Sequence, residues 1–271
     1  MVLNYIHWHV NPEIFSIGDF APRWYGLLFA MAFVVGYYIM LRYFKREGIK
    51  QDVLDSLTMY MFLGVLLGAR LGHCLFYEPQ YYLAHPIKIL MVWQGGLASH
   101  GAGFGMLIAL YLFVRKHKKS YLWLFDRVVI VVALSGLFIR TGNLMNSEIY
   151  GHETQLPWGF IFELRGETMP KHPTQLYEAL SYLLISGLLF WLLEKTYKKE
   201  RHGFIFGLFL VIFFTARFFI EFLKEDQVDF EANMKINMGQ WLSIPFFIAG
   251  IVLMIYSLQK KPVTNTTKKK V

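Results

Sequence analysis

The sequence predicts an all-α polytopic membrane protein. Seven transmembrane helices are expected, with the N-terminus outside, the C-terminus in the cytoplasm and a small extracytoplasmic loop region of β character. Three observations carry this. Apolar residues make up 55% of the 271-residue chain and charged residues 17%, with a mean hydropathy of +0.39. An ordinary soluble domain is less apolar and more charged. Apolar runs of about 17–22 residues recur, the length that crosses a bilayer's hydrocarbon core. The basic residues also alternate from loop to loop, the pattern that orients membrane proteins.

The expected spans cover 25–41, 54–76, 97–114, 122–139, 175–193, 203–223 and 239–258. The first 22 residues contain no Lys or Arg. That is the wrong flank for a cleaved signal peptide, so the first span is read as retained. Residues 140–173 form the longest outer loop. Within it GFIFELRGETMPKHPTQ alternates and carries a Gly-Glu turn, which predicts a small β hairpin over 159–168. One membrane domain over 1–258 is followed by a basic cytoplasmic tail over 259–271. Its KKPVTNTTKKK reads as a disordered segment beside anionic headgroups. Asn265-Thr266-Thr267 matches a glycosylation sequon, but on the cytoplasmic side, and is set aside.

The loops after spans one, three, five and seven hold 17 of the 27 Lys and Arg residues, and the opposite side holds seven: Arg23, Lys88, Arg140, Arg165, Lys171, Lys224 and Lys235. The net charge of +8 is therefore a topology and lipid-headgroup signal, and no nucleic-acid face is expected. The single cysteine, Cys74, excludes an internal disulfide and a multi-Cys metal site.

Three arginines remain inside or near the ends of spans. Arg127, beside Asp126 near the cytoplasmic start of span four, is placed to snorkel. Arg70 and Arg217 each lie six residues before the outer end of a span, about 9 Å along a helix. Arg140 stands at the outer end of span four, where VVIVVALSGLFI gives way to Arg140, Asn143, Asn146 and Glu148 within nine residues. A charge inside the membrane costs at least ~2.5 kcal/mol. Three guanidiniums at one depth point to a shared anionic ligand.

Other polar residues reach the same level: Tyr25, Ser99, His100, Gln175, Tyr177 and Glu178, with Glu221 one helical turn after Arg217. Each has a structural alternative. Arg140 is otherwise an interfacial anchor, Arg217 a partner of Glu221, and Arg70 a donor to a carbonyl or carboxylate. His100 and Tyr25 are otherwise interfacial packing, and Glu148 an orienter of Arg140. His73 and Cys74 read as packing.

Several signatures are missing from the sequence: the H-E-x-x-H zinc motif, the Walker loop and the G-x-S-x-G elbow. The glycines of GLASHGAGFG follow no strand, so they are not a dinucleotide fingerprint; they are expected to open space around His100. What remains is arginine, histidine, amide and carboxylate. Arginine grips phosphate with a planar fork of donors, and a phospholipid headgroup is the phosphate ester available at this depth. A histidine near neutrality can take a proton from a nucleophile.

Four segments in this order, GGLASHGAG, RTGNLMNSEIYG, HPTQLYEAL and ARFFIEF, together with RWYG at 23–26, resemble the prolipoprotein diacylglyceryl transferase family. The resemblance covers nearly the whole chain. It implies transfer of the diacylglyceryl group of phosphatidylglycerol to the lipobox cysteine of a prolipoprotein, forming a thioether and releasing glycerol 1-phosphate. The implied setting is the bacterial cytoplasmic membrane, with the site facing the outer leaflet among membrane lipids and no cofactor or metal required. It further implies that Arg140 and Arg217 hold the headgroup phosphate and that His100 helps deprotonate the thiol. Tyr25, Arg70, Asn143, Asn146, Glu148, Gly151 and Glu221 are the expected substrate-binding set, and the 159–168 hairpin is expected to help dock the peptide. Two positions depart from the family pattern: Phe213 stands where Tyr is frequent, and Ala102 where Gly is. An anionic-lipid transporter or scramblase remains the alternative, though no internal repeat is visible. A non-enzymatic receptor could share the topology without needing the polar layer.

Overall fold

The computed structural model describes residues 5–18, 20–92, 95–225, 234 and 236–264. Lys235, the sequon at 265–267 and the rest of the tail lie outside the described residues. Eight α-helices form among them: α1 (Trp24–Arg46), α2 (Gln51–Phe76), α3 (Pro79–Ala84), α4 (Ser99–His117), α5 (Tyr121–Met145), α6 (Thr174–Thr196), α7 (Phe204–Glu221) and α8 (Met238–Gln259). Four short strands accompany them: β1 (Ile6–Trp8), β2 (Phe160–Phe162), β3 (Lys199–Glu200) and β4 (Val263–Thr264).

Six helices, α1, α2 and α5 to α8, are long and apolar enough to cross a membrane. They fall on six of the seven expected spans. The remaining expected span falls on α4, whose His100, three glycines and terminal Arg115–Lys116 dilute its apolar character. The fourth span was expected to end at residue 139, but α5 continues to Met145. Arg140 and Asn143 are therefore helical. The helix stops where Ser147 (φ 51°) and Ile149 (φ 61°) take left-handed backbone, and Glu148 N–H closes back on Asn143 O at 3.0 Å.

The chain divides into two compact units, one from the described parts of 1–39 and 125–267, the other containing 40–124. In the first, small residues let helices approach. A Cβ on Gly136 would lie 2.6 Å from the Tyr182 ring, and one on Gly207 would lie 2.8 Å from Met254 and 2.9 Å from Gly250 O. Ser186 Oγ donates to Ile130 O at 2.9 Å, tying α6 to α5. The Asp126 carboxylate accepts from Gly203 N at 2.7 Å and Phe206 N at 2.8 Å, which satisfies otherwise orphaned donors at the start of α7. Arg127 does not snorkel as expected. It is fully buried and binds both oxygens of Glu200, at 3.0 and 2.9 Å. A carboxylate within reach holds the guanidinium inside, something the Asp126-Arg127 dipeptide could not reveal.

The outer loop differs from the expected hairpin. β2 pairs in parallel with β1, Ile6 opposite Phe160 and Trp8 opposite Phe162. After β2 a 3-10 turn (Glu163–Arg165) and Gly166 (φ 75°) lead to Lys171, which exchanges backbone hydrogen bonds with Phe160 at 2.8 and 3.0 Å. The N-terminal segment thus supplies the partner strand. Phe160, Phe162 and Leu144 form a small core with Trp8, Tyr150 and Leu176 against it, and Trp8 Nε1 donates to Leu144 O at 3.0 Å. The start of the tail is also ordered rather than disordered: β4 pairs antiparallel with β3.

In the second unit α2 lies against α4 through glycines. A Cβ on Gly72 would lie 2.7 Å from Gly101 Cα, and one on Gly68 would lie 2.8 Å from Gly105 Cα. Gly101 and Gly105 therefore serve helix contact. Of the three glycines inside α4, only Gly103 faces open space, so the expected opening around His100 is not their main use.

Candidate functional site

The C-terminal ends of α5 and α7 and the first turns of α6 bring a set of charges together in the first unit. Glu178, on α6, has no exposed surface. Its Oε2 lies 2.9 Å from Arg140 Nε. Its Oε1 accepts from Lys224 Nζ at 3.1 Å and from Tyr182 OH at 3.1 Å. Lys224 Nζ also donates to Glu221 Oε2 at 3.3 Å. Arg140 Nη1 donates to Asn143 Oδ1 at 3.3 Å, and Asn143 Nδ2 to Glu148 Oε1 at 2.8 Å. Asn146 Nδ2 joins the same carboxylate oxygen at 3.1 Å, and Gln175 Nε2 donates to Glu148 O at 2.7 Å.

Three cations, Arg140, Arg217 and Lys224, thus stand with three carboxylates, Glu148, Glu178 and Glu221. Arg217 has no hydrogen bond or ion pair among the described residues. Its electrostatic neighbours include Tyr182 and Lys224. The Arg217–Glu221 pair, the structural alternative for Arg217, is not formed; Lys224 pairs with Glu221 instead. Lys224 lies just beyond α7. Burial first, then Arg140 and Arg217, push its ammonium below the ordinary lysine range against the pull of Glu178 and Glu221. An incoming anion would relieve that imbalance of environment, because a further negative charge stabilises every cation in the set.

Glycines hold this geometry. Gly151 bridges Lys224 in an antiparallel pair, and a Cβ at Gly151 would collide with Leu223 O. Gly239 faces the Glu221 carboxylate, with its hypothetical Cβ only 2.5 Å from Cδ. Gly142 accommodates the ring of Tyr25, whose electrostatic neighbours are Glu148 and Arg140. Phe213 stacks on Tyr182 at 4.4 Å, and the Tyr182 hydroxyl donates to Glu178.

Outside the spans, Lys171 Nζ lies 2.7 Å from Glu225 and 3.4 Å from Glu167. Burial opposes its charge, but these carboxylates outweigh burial and hold the ammonium above its ordinary range. Tyr150 OH donates to Glu167 at 2.7 Å. The network joins the outer loop to the segment after α7, beside Lys224.

Of the ten expected site residues, the structure gathers eight in this unit: Tyr25, Arg140, Asn143, Asn146, Glu148, Gly151, Arg217 and Glu221. Arg70 and His100 belong to the other unit. Arg70 is 2% exposed. Its guanidinium donates to the carbonyls of Ile89 (2.9 Å), Gly95 (2.5 Å), Gly96 (3.3 Å) and Lys88 (2.5 Å), and it lies 4.9 Å over the Tyr82 ring. This matches its structural alternative, a donor to backbone carbonyls. His100 is exposed at the start of α4.

In the sequence Glu178 and Gln175 belong to the polar layer without standing out as site residues, and Lys224 shows only as an outer-side charge. A signal existed for Lys224: Arg217, Glu221 and Lys224 are spaced four and three residues apart, one face of a helix.

Long apolar helices with a buried, multiply paired ionic cluster define a multi-pass membrane protein with an internal polar site. Residues 12–256 match the family model described as prolipoprotein diacylglyceryl transferase. A phosphatidylglycerol--prolipoprotein diacylglyceryl transferase of Tolumonas auensis is 52% identical over 257 residues, covering 94% of this chain and 99% of that protein. Proteins of the same name from Chloroherpeton thalassium and Bacteroides fragilis are 43% and 44% identical, covering 97% and 95% of this chain and 98% and 97% of their own. The chain belongs to the prolipoprotein diacylglyceryl transferase family, and it is a transferase of lipoprotein biosynthesis.

Proposed function

We propose that this chain transfers the diacylglyceryl group of phosphatidylglycerol to the lipobox cysteine of a prolipoprotein. The observation that carries the reading is the Arg140–Glu178–Lys224–Glu221 cluster, built on the buried Glu178, with the Arg217 guanidinium beside it and without an ion pair among the described residues. The relatives' names supply the two substrates. In this reading the cysteine thiolate attacks the glycerol carbon that bears the phosphate ester. A sulfur–carbon bond forms, the carbon–oxygen bond to phosphate breaks, and the electron pair leaves with glycerol 1-phosphate. Arg140 and Arg217 bind the phosphate and stabilise the charge that grows on its departing oxygen.

The other roles follow from contacts and from motif. Asn143 and Glu148 set the fork of Arg140 from one side and Glu178 from the other. Tyr25 borders that group at Gly142. Lys224, paired with Glu178 and Glu221, keeps the carboxylates from opposing the phosphate. Gly151 bridges the backbone at Lys224. His100 is assigned the thiol proton, since it matches the family's histidine and stands exposed at a helix start. An unperturbed thiol is only a few per cent ionised at pH 7, so a base is needed. Arg70 ties down the backbone at 88–89 and 95–96 through its carbonyl bonds. The setting we assign is the bacterial cytoplasmic membrane, spanned seven times as one domain over 1–258, with the N-terminus outside, the C-terminus inside and the polar site toward the outer leaflet; the charge alternation supports it. The exposed Leu164 and Met169 flank the outer turn and are candidates to meet the extended peptide.

The deciding experiment combines purified protein, phosphatidylglycerol and a lipobox peptide, and follows glycerol-phosphate release. Release that requires the peptide cysteine is expected. A folded protein that binds phosphatidylglycerol yet releases nothing would favour an anionic-lipid transporter.

A further inference from the structure

We propose that the side-chain oxygens of Asn146 and Gln175 accept hydrogen bonds from the hydroxyls of a lipid headgroup and so select a polyol headgroup over one without hydroxyls. The inference deepens the transferase reading and rests on it for the identity of the lipid.

Asn146 Oδ1 and Gln175 Oε1 are buried side-chain oxygens with no donor among the described residues. Gln175 as a whole has no exposed surface. An unpaired buried acceptor forfeits its hydration, so native folds leave few of them. Amide orientation is normally ambiguous, but here it is set by neighbours. Asn146 must turn its N–H toward the Glu148 carboxylate, 3.1 Å away, because the oxygen would be repelled there. Gln175 must turn its N–H toward Glu148 O, 2.7 Å away, since a carbonyl accepts only. Both oxygens are therefore fixed as acceptors, each one amide group from Glu148. Glu148 is joined through Asn143 to Arg140, the residue assigned to the phosphate. A headgroup that extends from that phosphate and carries two neighbouring hydroxyls offers the two missing donors. A site with buried acceptors rejects an analogue that lacks the donor far more strongly than a pocket rejects a missing methylene.

The test compares phosphatidylglycerol with phosphatidylpropanol, which has the same phosphate and carbon count in its headgroup but no hydroxyls. Direct lipid binding is measured in nanodiscs, and thioether formation on a lipobox peptide is followed in parallel. Wild-type protein should bind phosphatidylglycerol at least about tenfold more tightly. Gln175→Met and Asn146→Leu should each shrink that preference by about threefold or more, by weakening phosphatidylglycerol while leaving phosphatidylpropanol unchanged. Equal binding of the two lipids by wild-type protein overturns the proposal, whether or not the variants fold. So do variants that weaken both lipids alike, which would mark the amides as purely structural. A clear binding preference without thioether formation on either lipid would uphold this inference and remove the transferase reading instead.

Discussion

Arg140 Nε and Glu178 Oε2 meet at 2.9 Å, and Glu178 is wholly buried. The ion pair holds the guanidinium by charge, while Nη1 donates to Asn143 Oδ1 at 3.3 Å. That hydrogen bond gives the fork a direction as well as a charge. Arg140→Lys keeps the charge and loses the fork. It should lower turnover by about 10²-fold or more, close to the loss in Arg140→Ala and Arg217→Ala. Peptide-dependent glycerol-phosphate release from correctly inserted protein measures this, and wild-type turnover in Arg140→Ala would refute the phosphate role.

Glu178 neutralises two cations at once. Glu178→Gln leaves Arg140 and Lys224 buried without that carboxylate, and removing one partner of a buried pair costs about 3–5 kcal/mol. Unfolding in detergent should shift accordingly. Adding Lys224→Met should recover part of the loss, a coupling a double-mutant cycle reads directly. Additive effects would mean that the two side chains do not interact.

The Arg127–Glu200 pair gives the contrasting case. Arg127→Ala leaves Glu200 buried opposite nothing of like strength, so stability should fall by about 3 kcal/mol. Turnover per folded molecule should stay near wild type, because this pair belongs to the start of α7 and not to the cluster near its end. A large fall in specific turnover with unchanged unfolding would contradict that division.

A pH dependence follows from His172, which lies outside the spans. Burial, and then His152, hold its pKa below the ordinary 6.5, and its Nδ1 is 3.2 Å from Tyr177 OH. The unfolded chain binds the proton more readily. The His172 contribution is therefore complete above about pH 6.5 and is lost as pH falls through the lowered folded value. Lys171 has the opposite sign: its raised value keeps its contribution intact below the ordinary 10.5, to be lost as pH rises through the folded value. Unfolding temperatures across the acid range should decline less steeply in His172→Asn than in wild type. Parallel curves would remove His172 from the acid response.

The helices were legible because hydrocarbon leaves a compositional trace. A span must be long and apolar whatever it packs against, so 54–76 and 203–223 could be read within a few residues of α2 and α7. Arginine inside such a run is costly enough to be noticed, which singled out Arg140, Arg217 and Arg70. Partner choice left no such trace. Arg70 and Arg217 look alike in sequence, yet one donates to four carbonyls and the other has no hydrogen bond or ion pair among the described residues. The partner strand of β2 comes from residues 6–8, more than 150 positions away, and no local pattern announces it.

By itself the sequence determined that this is a polytopic membrane protein of its family, with a site rich in arginine and amide groups, since length, hydropathy and motif are properties of the chain read in order. Only the tertiary structure decided that Glu178 and Lys224 join Arg140 in one ionic cluster, that Lys224 rather than Arg217 pairs with Glu221, and that Asn146 and Gln175 turn their oxygens away from Glu148. Those are matters of a few ångströms between residues distant in sequence. Ion pairs and hydrogen bonds depend on distance and direction, which a list of residues does not contain.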